Sequence, residues 1–256
     1  MSSNVFGTPV DNGTVEEIYL GITNITAQHR AEVALNYINA GGKADDARAF
    51  VNDLKYWYGN GTSTLCTIYN ATGNNLTFAR KNTWEGSVWR SPYPNIIQNG
   101  QWGAFLHVRD RLMGPSHEAA MYTGQNLAGN TRDWLLAWNT SRRHFQNRVY
   151  TEIRTSVPNW NTINNNMEQQ TTNHSTTALG CFSSVSVGSG SSPHFVAIMT
   201  LEGVNRNAAA IASDVSAIFS SLDSKTEDDE GVEGIDEPDA TPTPTTTATP
   251  TPTPAE

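Results

Sequence analysis

The sequence predicts a mainly β protein of the α+β kind, a β-sandwich with two N-terminal helices packed on it, one C-terminal helix and a disordered tail. Three observations predict it. Helical periodicity is confined to the stretch before residue 60 and to one late segment. After residue 60, short runs rich in Val, Ile, Thr and aromatic residues recur between Gly, Asn and Pro turns. The block "PYPNIIQNGQWGAFLHV" (Pro92–Val108) is apolar almost throughout, as the centre of a packed sheet requires. On this reading residues 1–222 form one domain, with a helical hairpin over about 26–58, a sandwich over about 62–203 and a helix over about 205–222; residues 223–256 are a tail.

Each element has its own signals. In "NITAQHRAEVALNYINAGGK", Thr26 is a natural N-cap, Val33, Ala34, Tyr37 and Ile38 share one face, and Gly41-Gly42 is a stop. In "ADDARAFVNDLKYWYGNG", Asp45 and Asp46 suit the positive end of a helix, Ala47, Phe50, Val51 and Leu54 form the apolar stripe, and Gly59 ends it. "STLCTIYNATGNNLTF" reads as two strands flanking a turn-rich centre. The Asn99-Gly100 pair supplies the positive φ of a turn, after which Trp102, Ala104, Leu106 and Val108 face one way and Phe105 and His107 the other. Gly103 lets a neighbour lie close. "DWLLAW", "NRVYTEIR", "SSVSVG" and "HFVAIMTLEG" are further strands. Val149, Thr151 and Ile153 alternate with Tyr150, Glu152 and Arg154, one buried face and one wet; "HFVAIMTL" is apolar at both parities, as a strand covered on both sides would be. "NRNAAAIASDVSAIFSSL" is amphipathic without basic residues on its polar face. The segment after it is acidic and Thr-Pro repetitive, too poor in apolar residues to offset the entropy of ordering.

Charge narrows the function classes. The formal net charge is −9, but from Asp223 onward there are 10 acidic residues and one Lys, which leaves 15 of each sign in the body. A neutral body without a basic stripe argues against nucleic acid. No apolar run approaches the length of a membrane-spanning helix. The opening "MSSNVFGTPVDNG" has neither the basic nor the apolar region of an export signal, so a cytoplasmic location is expected, with Cys66 and Cys181 as free thiols.

No motif announces catalysis. There is no G-x-S-x-G elbow and no phosphate-binding loop, and "HEAAM" starts like a zinc-protease motif but lacks its second His. No pair among the six His residues has ligand spacing, so neither metal nor cofactor is expected. His107 beside Asp110 is the one candidate general base, for a hydrolase in which it would face Ser, Cys or a carboxylate across a cleft. The aromatic residues are more suggestive. Trp84, Trp89, Tyr93 and Trp102 crowd into one segment, and with His107 they make up the candidate ligand surface; Trp134 and Trp138 share one face of a later strand. Exposed Trp and Tyr make sugar-stacking platforms or membrane-interface anchors, and buried ones are core.

The ordered blocks "NYINAGGK", "YGNG", "YNATGNNLTF", "SPYPNIIQNGQWGAFLHV", "DWLLAW" and "VYTEIR" resemble the plant jasmonate-induced 23 kDa proteins from about Val5 to Gly203. That resemblance implies a cytosolic stress protein with no family catalytic residues to transfer. The helix at 205–222 and the tail depart from the family pattern. A larger jasmonate-induced protein is a ribosome-inactivating N-glycosidase that uses a helical Glu-x-x-Arg; this chain contains no Glu-x-x-Arg, and Glu152 and Arg154 stand two apart on a strand. At the level of architecture the chain also looks like aegerolysin and actinoporin-type membrane-binding and lectin-like proteins, which carries little about function. The expectation is therefore a non-enzymatic plant stress or defence protein that acts by binding. The alternatives are a glycan- or lipid-headgroup-binding module, a storage or structural protein, and the hydrolase centred on His107 and Asp110.

Overall fold

Period-two patterning and Asn/Gly punctuation resolve into two sheets. The structure, a computed structural model, describes residues 4–111, 114–141 and 146–204; the expected helix at 205–222 and the tail at 223–256 lie outside the described residues. The chain runs β1 (Val5–Phe6), α1 (Asn12–Ile18), α2 (Ala27–Asn36), a 3-10 turn (Ala40–Gly42), α3 (Lys43–Tyr58), β2 (Ser63–Ala71), β3 (Leu76–Glu85) and β4 (Ser87–Val88). It continues through β5 (Ile96–Ile97), β6 (Trp102–Val108), β7 (Ser116–Gln125), β8 (Thr131–Thr140), β9 (Arg148–Arg154), α4 (Trp160–Glu168), β10 (Asn173–Ala178), β11 (Cys181–Val187) and β12 (His194–Leu201). One sheet has the order β1-β6-β2-β12-β11-β10, with β4 also paired to β6; the other is β5-β3-β7-β8-β9. All pairings are antiparallel except β12 on β2.

The sandwich has a helical coat on each side. Helices α1 to α3 bury Val15, Val33, Ala34 and Val51 against Trp102, Leu106, Val196 and Ile198 of the first sheet. Between the sheets lie Ile68, Phe105, Tyr122, Trp134, Trp138, Phe195 and Met199. On the far side, Ile163 and Met167 of α4 cover Ala119, Met121, Leu135 and Ala137. Because the central strands of the first sheet are covered on both faces, β2, β6, β11 and β12 are buried at every position. That is why "HFVAIMTL" is apolar at both parities. Strand β9 keeps its expected alternation, with Val149, Thr151 and Ile153 inward. Thr26 caps α2 by accepting from the His29 N–H. Helix α2 ends at Asn36, so Tyr37 is its C-cap and leaves the apolar stripe, 43% exposed.

Three polar anchors fix the helices to the first sheet. The Tyr69 hydroxyl donates to the Ala34 carbonyl (2.6 Å), the Trp102 Nε1–H to the Ile38 carbonyl (3.0 Å), and the Lys43 ammonium to the Gly100 carbonyl (2.8 Å). Two of the acceptors are carbonyls at or just past the end of α2, where orphan carbonyls need partners. Burial holds the Lys43 ammonium down at about 8. Gly100 takes φ +84°, and a Cβ there would lie 2.5 Å from Val10 Cγ2. Asn99 does not share the positive φ; its side chain is buried and joins three segments instead. Gly103 packs under Ile97 and Pro94, the close approach expected of it.

Cys66 and Cys181 are free and buried. Burial pushes both thiols up, Cys181 to about 12. Thiol counting under denaturing, non-reducing conditions should return both. Leu106→Ala should cost about 2–5 kcal/mol and Trp102→Ala about 3–5 kcal/mol through cavities under the helices. Gly100→Val should also destabilise, since a β-branched side chain meets both the positive φ and Val10. Denaturant melts of the three variants check this; a Trp102→Ala protein as stable as the parent would contradict the anchoring role.

Candidate functional site

The five residues of the expected ligand surface do not come together. Trp102 and His107 both lie on β6 at opposite parity, and since both faces of that strand are covered, each is 0% exposed. Trp102 faces the helices and His107 faces the second sheet, so neither belongs to an open surface. Trp84 packs beside the α4 core and stacks on His117 at 4.6 Å. Tyr93 lies at the rim of the inter-sheet core, stacked on Phe78 at 4.6 Å. Trp89 is on the helical side, edge-to-face with Tyr58 at 5.7 Å. Five neighbours in sequence are thus spread over three layers.

His107 does meet a hydroxyl and a carboxylate, but inside the sandwich. Its Nδ1 lies 2.8 Å from Ser116 Oγ and its Nε2 3.0 Å from Glu118 Oε2. Ser116 also contacts the Thr64 hydroxyl at 2.6 Å, which donates to Thr140 Oγ1 at 2.9 Å. Glu118 accepts from the hydroxyls of Thr83 and Tyr93, with Lys81 Nζ at 3.6 Å. Asp110 plays no part; it is exposed and accepts from Ser87 Oγ at 2.7 Å. A serine, a base and an acid in this order resemble a hydrolytic relay. Ser116, His107 and Glu118 are each 0% exposed, however, so no substrate atom reaches the hydroxyl in this conformation. The arrangement is a polar brace joining β2 and β6 of one sheet to β3, β7 and β8 of the other. Among the described residues no three His, Cys, Asp or Glu side chains are grouped to hold a metal.

The most exposed aromatic side chains among the described residues lie at the end of α3. There Tyr56 and Trp57 stand outward, 76% and 68% exposed, with their rings edge-to-face at 5.5 Å. Tyr58 turns inward onto Trp89. The Arg90 guanidinium lies over the Trp89 ring, 4.6 Å from its centroid, and Lys55 Nζ lies 5.4 Å from that of Tyr58. Arg90 holds a left-handed φ of +55°, uncommon for a side chain of its size. Lys55 also donates to the Gly59 carbonyl at 2.7 Å, securing the last turn of the helix. Arg109 lies against Tyr58 across Gly61, and its Nη1 is buried without a hydrogen-bond partner among the described residues. The result is an aromatic patch with three cations at one pole of the sandwich. Trp89 is the one member of the expected surface that belongs to it. Tyr56 and Trp57 sat in plain view in the sequence, in a run that reads as helix; Tyr56 falls opposite the apolar stripe, whereas Trp57, three residues after Leu54 and seven after Phe50, falls at its edge, so helical phase alone marks only Tyr56 as outward.

The buried brace generates a pH prediction. Burial holds His107 down from 6.5 to about 3 and pushes Glu118 up from 4.5 to about 7. The lowered His107 gives stability that is lost as pH falls from 6.5 towards 3; the raised Glu118 gives stability that is present in acid and lost as pH rises from 4.5 towards 7. Between 4.5 and 6.5 the two cancel, because the folded pair and the free side chains each hold one proton. The brace should therefore destabilise the fold below about pH 4.5 and, slightly, above about 6.5. Glu118→Gln removes one side of this balance. In that variant the acid loss should begin near pH 6.5 instead, read from melting temperature against pH beside the parent protein.

Comparison with known proteins places this architecture. A family model described as Nakanori-like protein matches residues 6–202. The 23 kDa jasmonate-induced protein of Hordeum vulgare is 42% identical over 172 residues, covering 64% of this chain and 81% of that protein. A jasmonate-induced protein homolog of Atriplex canescens is 37% identical over 76 residues, 30% of this chain and 40% of its own. The crystal structure of the lipid-binding protein Nakanori superposes with a TM-score of 0.67 at 22% identity, covering 76% of this chain and 98% of that one, a likeness of fold. The expected kinship with the jasmonate-induced proteins is therefore found, and the chain belongs to the Nakanori-like family.

Proposed function

We propose that the protein is a non-enzymatic, stress-associated binding protein that docks peripherally on a lipid surface through the pole formed by Tyr56, Trp57, Trp89, Lys55 and Arg90. The observation that carries this reading is the pair of exposed rings at Tyr56 and Trp57. A water-soluble surface gains nothing from a Trp and a Tyr held outward together, whereas a membrane interface takes up rings with one apolar and one polar end. Burying both would contribute on the order of 5 kcal/mol before ordering costs, taking about 25 cal/mol per Å². Each nearby cation adds about 1 kcal/mol at an anionic leaflet. These magnitudes suit reversible attachment. Among the described residues no helix is long and apolar enough to cross a membrane. The fold neighbour described as lipid-binding supports the ligand class, and the relatives named for jasmonate induction support the stress setting. A cytoplasmic location remains part of this reading.

Co-sedimentation with vesicles of phosphatidylcholine, alone and with phosphatidylserine, tests it. Trp57→Ser and Tyr56→Ser should each lower vesicle partition about tenfold or more while shifting stability by no more than about 0.5 kcal/mol, as surface changes do. Lys55→Gln with Arg90→Gln should weaken binding chiefly to the anionic vesicles and at low salt. If the parent protein does not sediment with either vesicle, the lipid reading fails and a storage or structural role gains.

A further inference from the structure

We propose that the cleft at the opposite pole of the sandwich is a binding site for a polyhydroxylated ligand, a sugar. Strand β2 starts beside the aromatic patch and ends at this cleft, so its nine residues set the two sites roughly 30 Å apart. The cleft holds about 810 Å³, where the loops near residues 9–13, 73–75, 98–99 and 123–131 meet α2. The proposal concerns a different surface from the lipid-docking pole and stands or falls separately.

The walls are fixed before any ligand arrives. The Asn99 side chain accepts from the Gly73 N–H at 2.8 Å and donates to the Val10 and Arg30 carbonyls at 2.9 and 3.1 Å. The Asn70 amide donates to the Asn74 and Ile97 carbonyls at 2.8 and 2.7 Å. Gly73 sits so close to α2 that a Cβ would lie 2.0 Å from the Ala27 carbonyl oxygen. Arg30 donates to the Gly73 carbonyl at 2.7 Å and to the side-chain oxygens of Asn12 and Asn74 at 2.9 and 3.4 Å. A site held in this way avoids the ordering cost of binding.

The free groups of the lining suit hydroxyls. Arg30 spends three of its five N–H donors on neutral acceptors and makes no ion pair among the described residues, so two donors remain. Asp11 uses one carboxylate oxygen for the Thr14 N–H and hydroxyl, and those bonds hold its acid below the ordinary range, so the second oxygen is a charged acceptor. The amides of Asn75, Gln98 and Gln125 and the hydroxyl of Thr131 line the cleft with no side-chain hydrogen bond among the described residues. A sugar hydroxyl donates and accepts at once, matching this mixture. A phosphate or sulfate would meet Asp11, and an acyl chain would find only Pro9 and Val10.

The sugar could come from a free glycan or from a glycolipid headgroup, and the test separates the two. Titrations use cellohexaose, xylohexaose and a galactose hexasaccharide in solution, and vesicles containing glucosylceramide. At least one probe should bind with millimolar affinity or better. Asn75→Ala with Gln125→Ala should weaken it about tenfold, and Arg30→Gln likewise. Trp57→Ser should leave hexasaccharide binding unchanged. Binding of a free hexasaccharide that the cleft variants abolish supports a soluble glycan. Binding of glucosylceramide vesicles alone, lost in the same cleft variants, supports a glycolipid headgroup. No binding of any probe, or binding that the Asn75 and Gln125 changes leave intact, overturns the proposal. Those two side chains make no hydrogen bonds among the described residues, so their variant decides even if Arg30→Gln does not fold.

Discussion

The double burial of the first sheet is the constraint on which the rest of the structure depends. Strands packed on both faces offer no water to the polar atoms of their side chains, so most of these atoms bond inside the protein. On the helical face Tyr69 and Trp102, whose rings meet at 4.9 Å, send their hydroxyl and indole N–H to carbonyls near the end of α2. Those bonds set where α2 stops and where the turn into α3 begins. Lys43, at the head of α3, completes the attachment at Gly100. With its first turn tied to the loop before β6, α3 runs along the sheet and delivers its last turn to the other pole. The aromatic patch is therefore placed by interactions a full helix length away from it.

On the opposite face the same constraint produces the brace around His107. A buried His, Glu and Ser are costly to desolvate, and an apolar replacement of similar volume often leaves a protein no less stable. What the polar version adds is a choice of partner. His107 meets Ser116 at one ring nitrogen and Glu118 at the other, two residues that point the same way from β7. A slip of β7 by one residue would turn both carboxylate and hydroxyl away and leave the imidazole unpartnered. The brace thus specifies how the two sheets face one another, which apolar contacts alone do loosely. Its burial makes that account of the serine more economical than a catalytic one.

Much of the fold was legible because it is local. Thr26, Asp45, Asp46 and Gly59 mark helix ends by backbone chemistry that does not depend on the rest of the chain. The alternation in β9 and the two-sided apolar run in β12 report directly on how many faces are covered. Strand β7 was not legible: "SHEAAMYTGQ" puts Glu and His among alanines, and only the brace and α4 explain why those residues are buried there. Helix α4 escaped notice for a similar reason. Four of its nine residues are Asn or Thr before Asn166, and its packing rests on Ile163 and Met167, one turn apart, with Trp160 half-buried beside them. The run "STLCTIYNATGNNLTF" does hold two strands, but its turn carries the chain from one sheet to the other instead of closing a hairpin.

The site was less legible than the fold because exposure is a property of layers, not of spacing. Trp84, Trp89, Tyr93 and Trp102 are close in sequence, yet a chain that crosses between sheets within that segment sends neighbouring aromatics to different layers. Parity could show that Trp102 and His107 point in opposite directions; it could not show that both directions are covered. Conversely, Tyr56 and Trp57 looked like part of an ordinary amphipathic helix until the position of the sheet fixed which side of α3 is wet. The same reasoning accounts for where binding chemistry can reside in this architecture. Both faces of the central strands of the first sheet, the inner face of the second and the part of its outer face beneath α4 are occupied by packing, and both candidate surfaces lie where strands end. At one end the helix terminus brings aromatic rings and cations, and at the other the Asn-rich loops bring amides and hydroxyls. The two proposed surfaces thus differ in chemistry because each is built from what its own end of the sandwich supplies.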